Sequence, residues 1–460
     1  MRGPGEILLL STYALGRPPH ALASSAAFLE RAGFSPACLD LAVEPFDPAR
    51  VERARLLAFS VPMHTALLLG LRAARRARAA APSARLAFFG LYAPLNAELL
   101  ESAGAVAILG GEFEAELVAL SEALERGEED LARFRHRGPQ GLPTRRLDSP
   151  APSREGLPPL TRYARLDPAG GPTRVAGYTE ASRGCKHLCL HCPIPPLYRG
   201  RFVAVPIETV LADVAGQVAA GAEHLTFGDP DFLNGPTHAL RLARAVKARF
   251  PGLTFDFTAK VEHLLRHAGA LAELVACGAL FVTSAVESLS DKVLSRLRKG
   301  HSRDDALRAF ELCALAGLTL RPSLLPFTPF STLEDLLDLL ETFEARGLFA
   351  HLDPVQLSIR LLIPPGSLLE GAPDIAFEGL DRDALSWRWR HPDPRMDELQ
   401  PRIAAAAELS AAQGEDPIET IRRIHERVRA TSGLPRRRVR GRGLAPRQRR
   451  VPRLTESWFC

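Results

Sequence analysis

The feature that most constrains this chain is an alternation of short apolar runs with longer amphipathic ones, and the alternation occurs twice. In the first series the strand candidates are EILLL (6–10), ACLDL (37–41), LLAFSV (56–61), RLAFFG (85–90) and AVAILG (105–110). Segments of helical period, such as HALASSAAFLERAGF and HTALLLGLRAARRARAA, lie between them. Strand, helix, strand repeated in this way requires a parallel sheet covered on both faces. Ligands of such sheets bind outside the carboxyl ends of the strands, which singles out the loops STYALGRPP, VPMHT, GLYAPLN and GGEFE.

Both periods vanish over 127–172, which is rich in Pro, Gly and charge and reads as a linker. The second series then begins, with VAGYTEAS (175–182), HLTFGD (224–229), LTFDFTA (253–259), LFVTSAVE (280–287), LTLRPSLLPF (318–327) and VQLSIRLLIP (355–364). Six strand-helix units predict a partial (β/α)6 barrel with its functional residues at the C-terminal ends of the strands. The expected α/β organisation is thus a doubly wound, Rossmann-like domain over 1–126, the linker, a partial barrel over 173–370, and a mainly helical region over 371–434. An Arg-rich tail over 435–460 ends in Cys460.

Composition narrows the function classes. The chain is 46% apolar and 24% charged, as soluble globular proteins are, and no uninterrupted apolar run is long enough to span a bilayer. The opening MRGPGEILLLSTYALGRPP has too short an apolar core for a signal peptide. Seven cysteines, one tight trio plus Cys38, Cys277, Cys313 and Cys460, do not form a secreted disulfide framework. The expectation is a cytoplasmic protein with no membrane partner. Residues 435–453 hold nine arginines and no acid. Without interleaved aromatics to stack bases, that run reads as a solvated tail, and nucleic acid is not the expected partner.

The trio lies in GCKHLCLHC (184–192), after the first strand of the second series: Cys185, Cys189 and Cys192. Structural zinc is closed by four ligands, so a zinc reading must recruit His187, His191 or a distant residue. A four-iron cube held by three thiolates has one iron that the protein leaves open. Sequence alone keeps both readings.

The C-x3-C-x2-C spacing in this context resembles the radical S-adenosylmethionine (radical SAM) superfamily, with His191 where the family often has an aromatic. The resemblance implies a [4Fe-4S] cluster whose open iron is chelated by S-adenosyl-L-methionine (SAM). Electron transfer then cleaves the sulfonium to a 5′-deoxyadenosyl radical, and a donor such as flavodoxin or ferredoxin supplies the electron. FGDPDF (227–232) occupies the place of the family's SAM-amine segment, which makes Gly228, Asp229 and Asp231 candidates. The bland alternative is an Asp-Pro-Asp turn. By the same resemblance Glu287 would bind the SAM ribose, unless Glu287 and Ser288 cap a helix near Ser290. Arg360 would pair with the SAM carboxylate, unless it makes a structural ion pair. Asp256, Lys260 and Ser323 are candidate substrate contacts at the barrel rim.

A doubly wound domain ahead of such a barrel resembles the cobalamin-binding architecture of the superfamily, and GGEFEAEL (110–117) resembles the close of that domain. No Asp-x-His-x-x-Gly segment is present, and His20 and His64 lack that context. The resemblance therefore implies cobalamin without a histidine ligand to cobalt. The ending VPRLTESWFC resembles the radical SAM family with Cys-selenocysteine-Ala-Glu-Pro or Cys-Cys-Ala-Glu-Pro tails. On that reading the codon after Cys460 is UGA, and Cys460 belongs to a redox or metalloid-binding pair. The implied activity is methyl or alkyl transfer to a small molecule or peptide. The alternatives are hydrogen abstraction without cobalamin, and a non-catalytic iron-sulfur or metalloid-binding protein. A further rival, tRNA methylthiolation, needs three more cysteines in the first domain, which offers Cys38 alone.

Overall fold

The computed structural model of the chain describes residues 1–136, 148–434 and 450–455. Cys460 and most of the Arg-rich tail lie outside the described residues.

The first series folds as β1 (Ile7–Ser11), α1 (His20–Arg31), β2 (Ala37–Asp40), α2 (Pro48–Arg53), β3 (Leu56–Ser60), α3 (His64–Ala80), β4 (Arg85–Phe89), α4 (Ala97–Ser102), β5 (Ala105–Leu109) and α5 (Glu114–Glu125). All strand pairs are parallel, in the order β2-β1-β3-β4-β5. Successive residues serve opposite cores. Leu8, Leu10, Leu57, Phe59 and Phe88 pack on one face, and Ile7, Leu9, Leu56, Ala58 and Phe89 on the other. Burial on both faces is why these strands are continuous apolar runs rather than alternating ones. In this order the chain reverses direction across the sheet between β1 and β3, which opens a crevice at their carboxyl ends.

The second series contains β6 (Arg165–Asp167), β7 (Arg174–Thr179), β8 (Ser182–Gly184), α6 (Ile194–Tyr198), β9 (Phe202–Ala204), α7 (Ile207–Ala219), β10 (His224–Phe227) and α8 (Pro236–Arg249). It continues with β11 (Thr254–Thr258), α9 (Val261–Arg266), α10 (Ala268–Ala276), β12 (Ala279–Glu287), α11 (Asp291–Arg296), α12 (Arg303–Leu315), β13 (Thr319–Leu324) and α13 (Leu333–Ala345). Strands β7, β10, β11, β12 and β13 pair in parallel in chain order, the curled half-barrel. Capping boxes start two of its helices, Ser302 with Asp305 and Thr332 with Asp335.

One expectation changes, and two regions gain detail. The sixth strand is not a strand: Pro354–Ser358 forms a 3-10 turn, and the segment meets the sheet through a single Phe327–Arg360 bridge. The Gln356 side chain accepts from Leu324 N at 2.9 Å, taking the place of a ladder bond. The region after 370 is not all helix. It holds an antiparallel hairpin, β14 (Ala376–Asp381) and β15 (Ser386–Arg390), before α14 (Pro394–Ala412) and α15 (Pro417–Thr431). Both helices reach the barrel core through Met396, Leu399, Ile403, Ile421, Ile424 and Val428. The described part of the linker is tied to both domains. Within it Tyr163 donates to Asp40 of the first sheet at 2.9 Å, Arg154 pairs with Asp213 of α7 at 2.7 Å, and β6 extends the half-barrel. A short β16 (Arg453–Leu454) pairs antiparallel with β6. Among the described residues no helix is long and apolar enough to cross a membrane.

Candidate functional site

The hairpin of β8 with β9 pairs Ser182 with Ala204 and Gly184 with Phe202, and the three cysteines lie in the loop it closes. Gly184 has φ +79°, and a Cβ there would stand 2.5 Å from the Arg201 carbonyl oxygen. Only glycine fits that start. Asn234 grips the loop at two points, accepting from Lys186 N at 3.1 Å and donating to Gly184 O at 3.3 Å. Leu190 N donates to Leu297 O at 3.1 Å, which anchors the middle of the loop at the end of α11. Cys185 and Cys189 are buried and Cys192 is half-buried. Burial pushes the Cys192 thiol up to about 12 and raises Cys185 as well, and the neighbouring thiols add to both. Thiolates with no counter-charge are therefore unfavourable here, and a positive metal assembly would stabilise them.

Among the described residues, the group whose ligand atoms all fall within 4.8 Å of one another is His187, Asp231 and His263, not the three thiols. A single zinc ion needs its ligands that close. A polynuclear cluster does not.

Positive charge is built in beside the thiols. Lys299, buried after α11, places Nζ 3.0 Å from Oε1 of Glu287, and His191 Nε2 lies 3.3 Å from the same oxygen. Burial pushes the Glu287 carboxyl up, but Lys299 and His191 more than offset that and hold it well below the usual carboxylate range. Glu287 ends β12 at φ +62°, a strained backbone for a non-glycine residue. It does not cap α11. The short turn there belongs to Ser288, whose Oγ accepts from Ser290 N at 3.0 Å. Lys260 completes the ridge, donating from Nζ to Lys299 O at 2.6 Å.

The FGDPDF segment behaves differently from expectation. Gly228 sits under Tyr178, whose Oη would be 1.8 Å from a Cβ. The Asp229 carboxylate accepts from Ala181 N at 2.9 Å and Ser182 Oγ at 2.5 Å, and burial raises it to about 7. Asp231 accepts from Leu233 N at 3.0 Å and Lys260 N at 3.3 Å, with His263 Nδ1 at 2.7 Å from its Oδ2. The Asp229 carboxylate is thus held by the β7–β8 connection, and only Asp231, through Oδ1 and Leu233 N, makes the expected turn. Arg360 requires a correction. Its guanidinium pairs with Asp397 at 2.6 Å, donates to Trp389 O at 2.7 Å and lies 3.6 Å over the Trp389 ring, so it fastens the C-terminal hairpin and α14. Asp256 is also committed, accepting from Thr226 at 2.6 Å with His224 Nε2 at 3.0 Å.

The carboxyl edge of the first sheet faces this rim. Tyr92, after β4, is close enough to Cys192 to feel its charge. Glu112 and Glu114, from GGEFE, are buried against Arg183 of β8 at 3.1 and 2.7 Å, and Glu180 joins the guanidinium at 2.9 Å. Tyr198 donates to Glu112 at 3.1 Å. The glycines of that motif drew notice in the sequence, whereas its glutamates make the junction. His20 is enclosed by Glu180 and Asp213, and His64 Nε2 is 2.7 Å from Ala384 O of the C-terminal hairpin. Lys299, His263 and Arg183 had no sequence signal, because their partners are remote in the chain.

Comparison with known proteins agrees with this site. The family model of the Radical SAM superfamily matches residues 179–343. The chain is 30% identical over 156 residues to a tRNA-2-methylthio-N(6)-dimethylallyladenosine synthase of Anaeromyxobacter sp. (strain K), 32% of each protein. It is 24% identical over 204 residues to the ribosomal protein uS12 methylthiotransferase RimO of Trichlorobacter lovleyi, 38% of this chain and 42% of that protein. The match thus spans less than half the length of these curated relatives. Two solved structures share the fold. TsrM, a radical SAM methyltransferase from Kitasatospora setae with cobalamin and a [4Fe-4S] cluster bound, aligns with a TM-score of 0.57 at 19% identity, covering 75% of this chain and 70% of that one. OxsB, a cobalamin-dependent SAM radical enzyme with aqua-cobalamin and SAM bound, aligns with a TM-score of 0.66 at 15% identity, covering 88% and 66%. The three thiols at the rim of a curled parallel sheet, within the matched residues, identify 179–343 as a radical SAM domain.

Proposed function

We propose that this chain is a cobalamin-dependent radical SAM enzyme that transfers a methyl or alkyl group to a small molecule or peptide. One observation carries the reading: the loop of Cys185, Cys189 and Cys192 is fastened, through Arg183, to the carboxyl edge of a doubly wound sheet. That arrangement brings two cofactor-binding edges face to face, the one suited to a cluster and the other to a bulky planar cofactor.

Cys185, Cys189 and Cys192 would hold the [4Fe-4S] cluster, which together with SAM supplies one-electron reductive cleavage of the sulfonium. The ammonium of Lys299, backed by Lys260, offsets the charge of the thiolates. Glu287, gripped at Oε1 by Lys299 and His191, is our choice for the SAM ribose. Since Asp229 is held by Ala181 N and Ser182 Oγ and Asp231 Oδ2 is turned to His263 and His187, we assign the SAM amine to the backbone of the Gly228 segment rather than to their carboxylates. His64 is held by the Ala384 carbonyl, and His20 is buried between Glu180 and Asp213, which favours cobalamin bound without a histidine on cobalt. An electron donor such as flavodoxin or ferredoxin would complete the cycle. For the tail resemblance, the test is the genomic triplet after Cys460, which must be UGA with Ala-Glu-Pro in frame behind it.

Methylthiolation is a second reading, because the curated relatives carry it in their names. Cys38 is the one cysteine of the first domain and lies buried in β2, which leaves no trio for a second cluster.

The deciding experiment is anaerobic reconstitution with iron, sulfide and hydroxocobalamin, followed by gel filtration and quantification of all three. Stoichiometric corrinoid beside one cluster, with 5′-deoxyadenosine or methylated product lost in Cys189→Ala, supports the proposal. A cluster without corrinoid removes cobalamin from it, and a cluster that never turns over SAM removes the enzyme.

A further inference from the structure

Beside the cysteine loop lies a second set of ligand atoms that the cluster does not use. His187 comes from the loop itself, between Cys185 and Cys189; Asp231 follows β10; His263 lies on α9. Asp231 Oδ2 is 2.7 Å from His263 Nδ1 and 3.8 Å from His187 Nε2, and all three atoms fall within 4.8 Å of one another. With metal bonds of about 2.0–2.1 Å, ligand atoms of a tetrahedral ion lie about 3.3 Å apart. Asp231 Oδ2 and His263 Nδ1, in direct contact, must part by about half an ångström to admit an ion, and His187 Nε2 at 3.8 Å must close by about as much.

Two independent observations point to an ion rather than to a hydrogen-bonded relay. His187 Nε2 and His263 Nδ1 are both buried and neither makes a hydrogen bond of good geometry, although His263 Nδ1 lies 2.7 Å from Asp231 Oδ2. The His263 side chain is only 4% exposed, so solvent does not serve it. The outer partners are also in place. His187 Nδ1 faces Glu262 Oε2 at 3.4 Å, and Asp231 Oδ1 is fixed by Leu233 N. A carboxylate behind a ligating imidazole fixes its tautomer and raises its basicity. The neighbouring Lys260 ammonium opposes a cation, but its Nζ is turned to Lys299 O and to Glu262 at 3.9 Å.

We infer that His187 Nε2, Asp231 Oδ2 and His263 Nδ1 form a site for one divalent ion of the zinc class, separate from the cluster, with a further coordination position open. Two imidazoles and a carboxylate suit zinc and its borderline neighbours rather than calcium or magnesium. The ion ties the cysteine loop to the carboxyl ends of β10 and β11. Its open position faces the same rim, where an oxygen or nitrogen of a substrate can reach it.

The test uses cluster-loaded protein, so that the three thiols are already taken. The protein is incubated anaerobically with zinc chloride and desalted, and zinc, iron and sulfide are measured on one sample. We expect zinc retained in near-stoichiometric amount, with iron unchanged. His263→Ala should lower retained zinc about tenfold or more while keeping the cluster, as loss of a ligand does. If His263→Ala loses iron as well, the half-buried His187→Gln decides by the same measurement. Absence of zinc from the cluster-loaded wild type, or zinc in both variants equal to that of the wild type, overturns the inference. Because iron is quantified separately, failure of this site is distinguishable from failure of the cluster.

Discussion

The doubly wound sheet and the half-barrel are made of the same alternation, and both present loops at the carboxyl ends of parallel strands. They differ in what those loops hold. At the edge of the first sheet, Glu112 and Glu114 are met by Arg183, His64 lies on a backbone carbonyl, and His20 sits between two carboxylates. Buried polar atoms without a hydrogen-bond partner occur at both edges: His20 Nδ1 and Glu114 Oε2 at the first, and His187 Nε2, His191 Nδ1, Ser284 Oγ, His263 Nδ1 and His301 Nδ1 at the barrel rim. An unmet buried donor or acceptor costs about 1–3 kcal/mol, so a cluster of them marks where a ligand belongs. What differs is where the charges meet: at the first edge the carboxylates pair with Arg183 across the domain junction, and at the rim Glu287 pairs with Lys299 beside the thiols.

The sharpest way to break this contrast is Arg183→Met. It leaves Glu112, Glu114 and Glu180 buried without their guanidinium, and removal of one partner from a buried pair costs about 3–5 kcal/mol. Denaturant unfolding should show that loss, and limited proteolysis should find the first domain detached. Adding Glu112→Gln and Glu114→Gln should recover part of the stability. Equal stability of wild type and Arg183→Met would mean that the domains are joined by apolar contacts instead.

Lys299→Met probes the other side. It leaves Glu287 buried against His191 alone, at a cost of about 3 kcal/mol by the same reasoning. Here the readout extends to the cofactors. Cluster iron should be retained less well, because the Lys299 ammonium no longer offsets the thiolates, whereas Arg183→Met should keep its iron. The sign with pH follows from the depressed Glu287 carboxyl. Its contribution is present above the ordinary glutamate range and is lost as acid protonates it, so the wild type should lose its advantage over Glu287→Gln on acidification.

Asp229 moves the opposite way. Its carboxyl rises from 3.8 to about 7, chiefly by burial, so between those values the folded chain binds a proton that the unfolded chain does not. Stability from this group is full below about 4 and declines as pH rises to about 7, by an amount on the order of a few kcal/mol. Asp229→Asn should flatten that slope, since an amide can still accept from Ala181 N. A thermal-denaturation series across this range that gives parallel curves for the two proteins would show Asp229 ionised in the native state.

What the sequence made legible follows physical range. The cluster ligands are within eight positions of one another, and the parallel strands announce themselves because both faces are buried. The segment 355–364 imitates a strand, Val, Leu, Ile, Leu, Ile in turn, but Pro354 starts a 3-10 turn and the Gln356 side chain replaces the ladder. The hairpin of β14 and β15 is short, charged and half-exposed, and it carries little periodic signal. Apolar positions 396, 399, 403 and 421, 424, 428 did carry the helical period that buries α14 and α15 in the barrel. Arg360, by contrast, was unreadable: a strand-end arginine looks alike whether it meets a cofactor or Asp397.

The smallest expected effect separates the two domains chemically. Cys38 lies on β2, 3% exposed, with its thiol pushed up to about 12 chiefly by burial among apolar neighbours. Such a thiol is inert, and its sulfur serves as a small apolar side chain. Cys38→Ala should therefore cost about 1 kcal/mol or less in unfolding. Iron and sulfide per chain should equal the wild type, and 5′-deoxyadenosine release should be unchanged. A methylthiotransferase-like second cluster in the first domain would need this thiol, since Cys38 is the one cysteine there, and would lose iron in the variant. Equal iron in wild type and Cys38→Ala, set beside its loss in Cys189→Ala, would confine the iron chemistry to the barrel rim and leave the doubly wound edge for a cofactor that is held without thiolates.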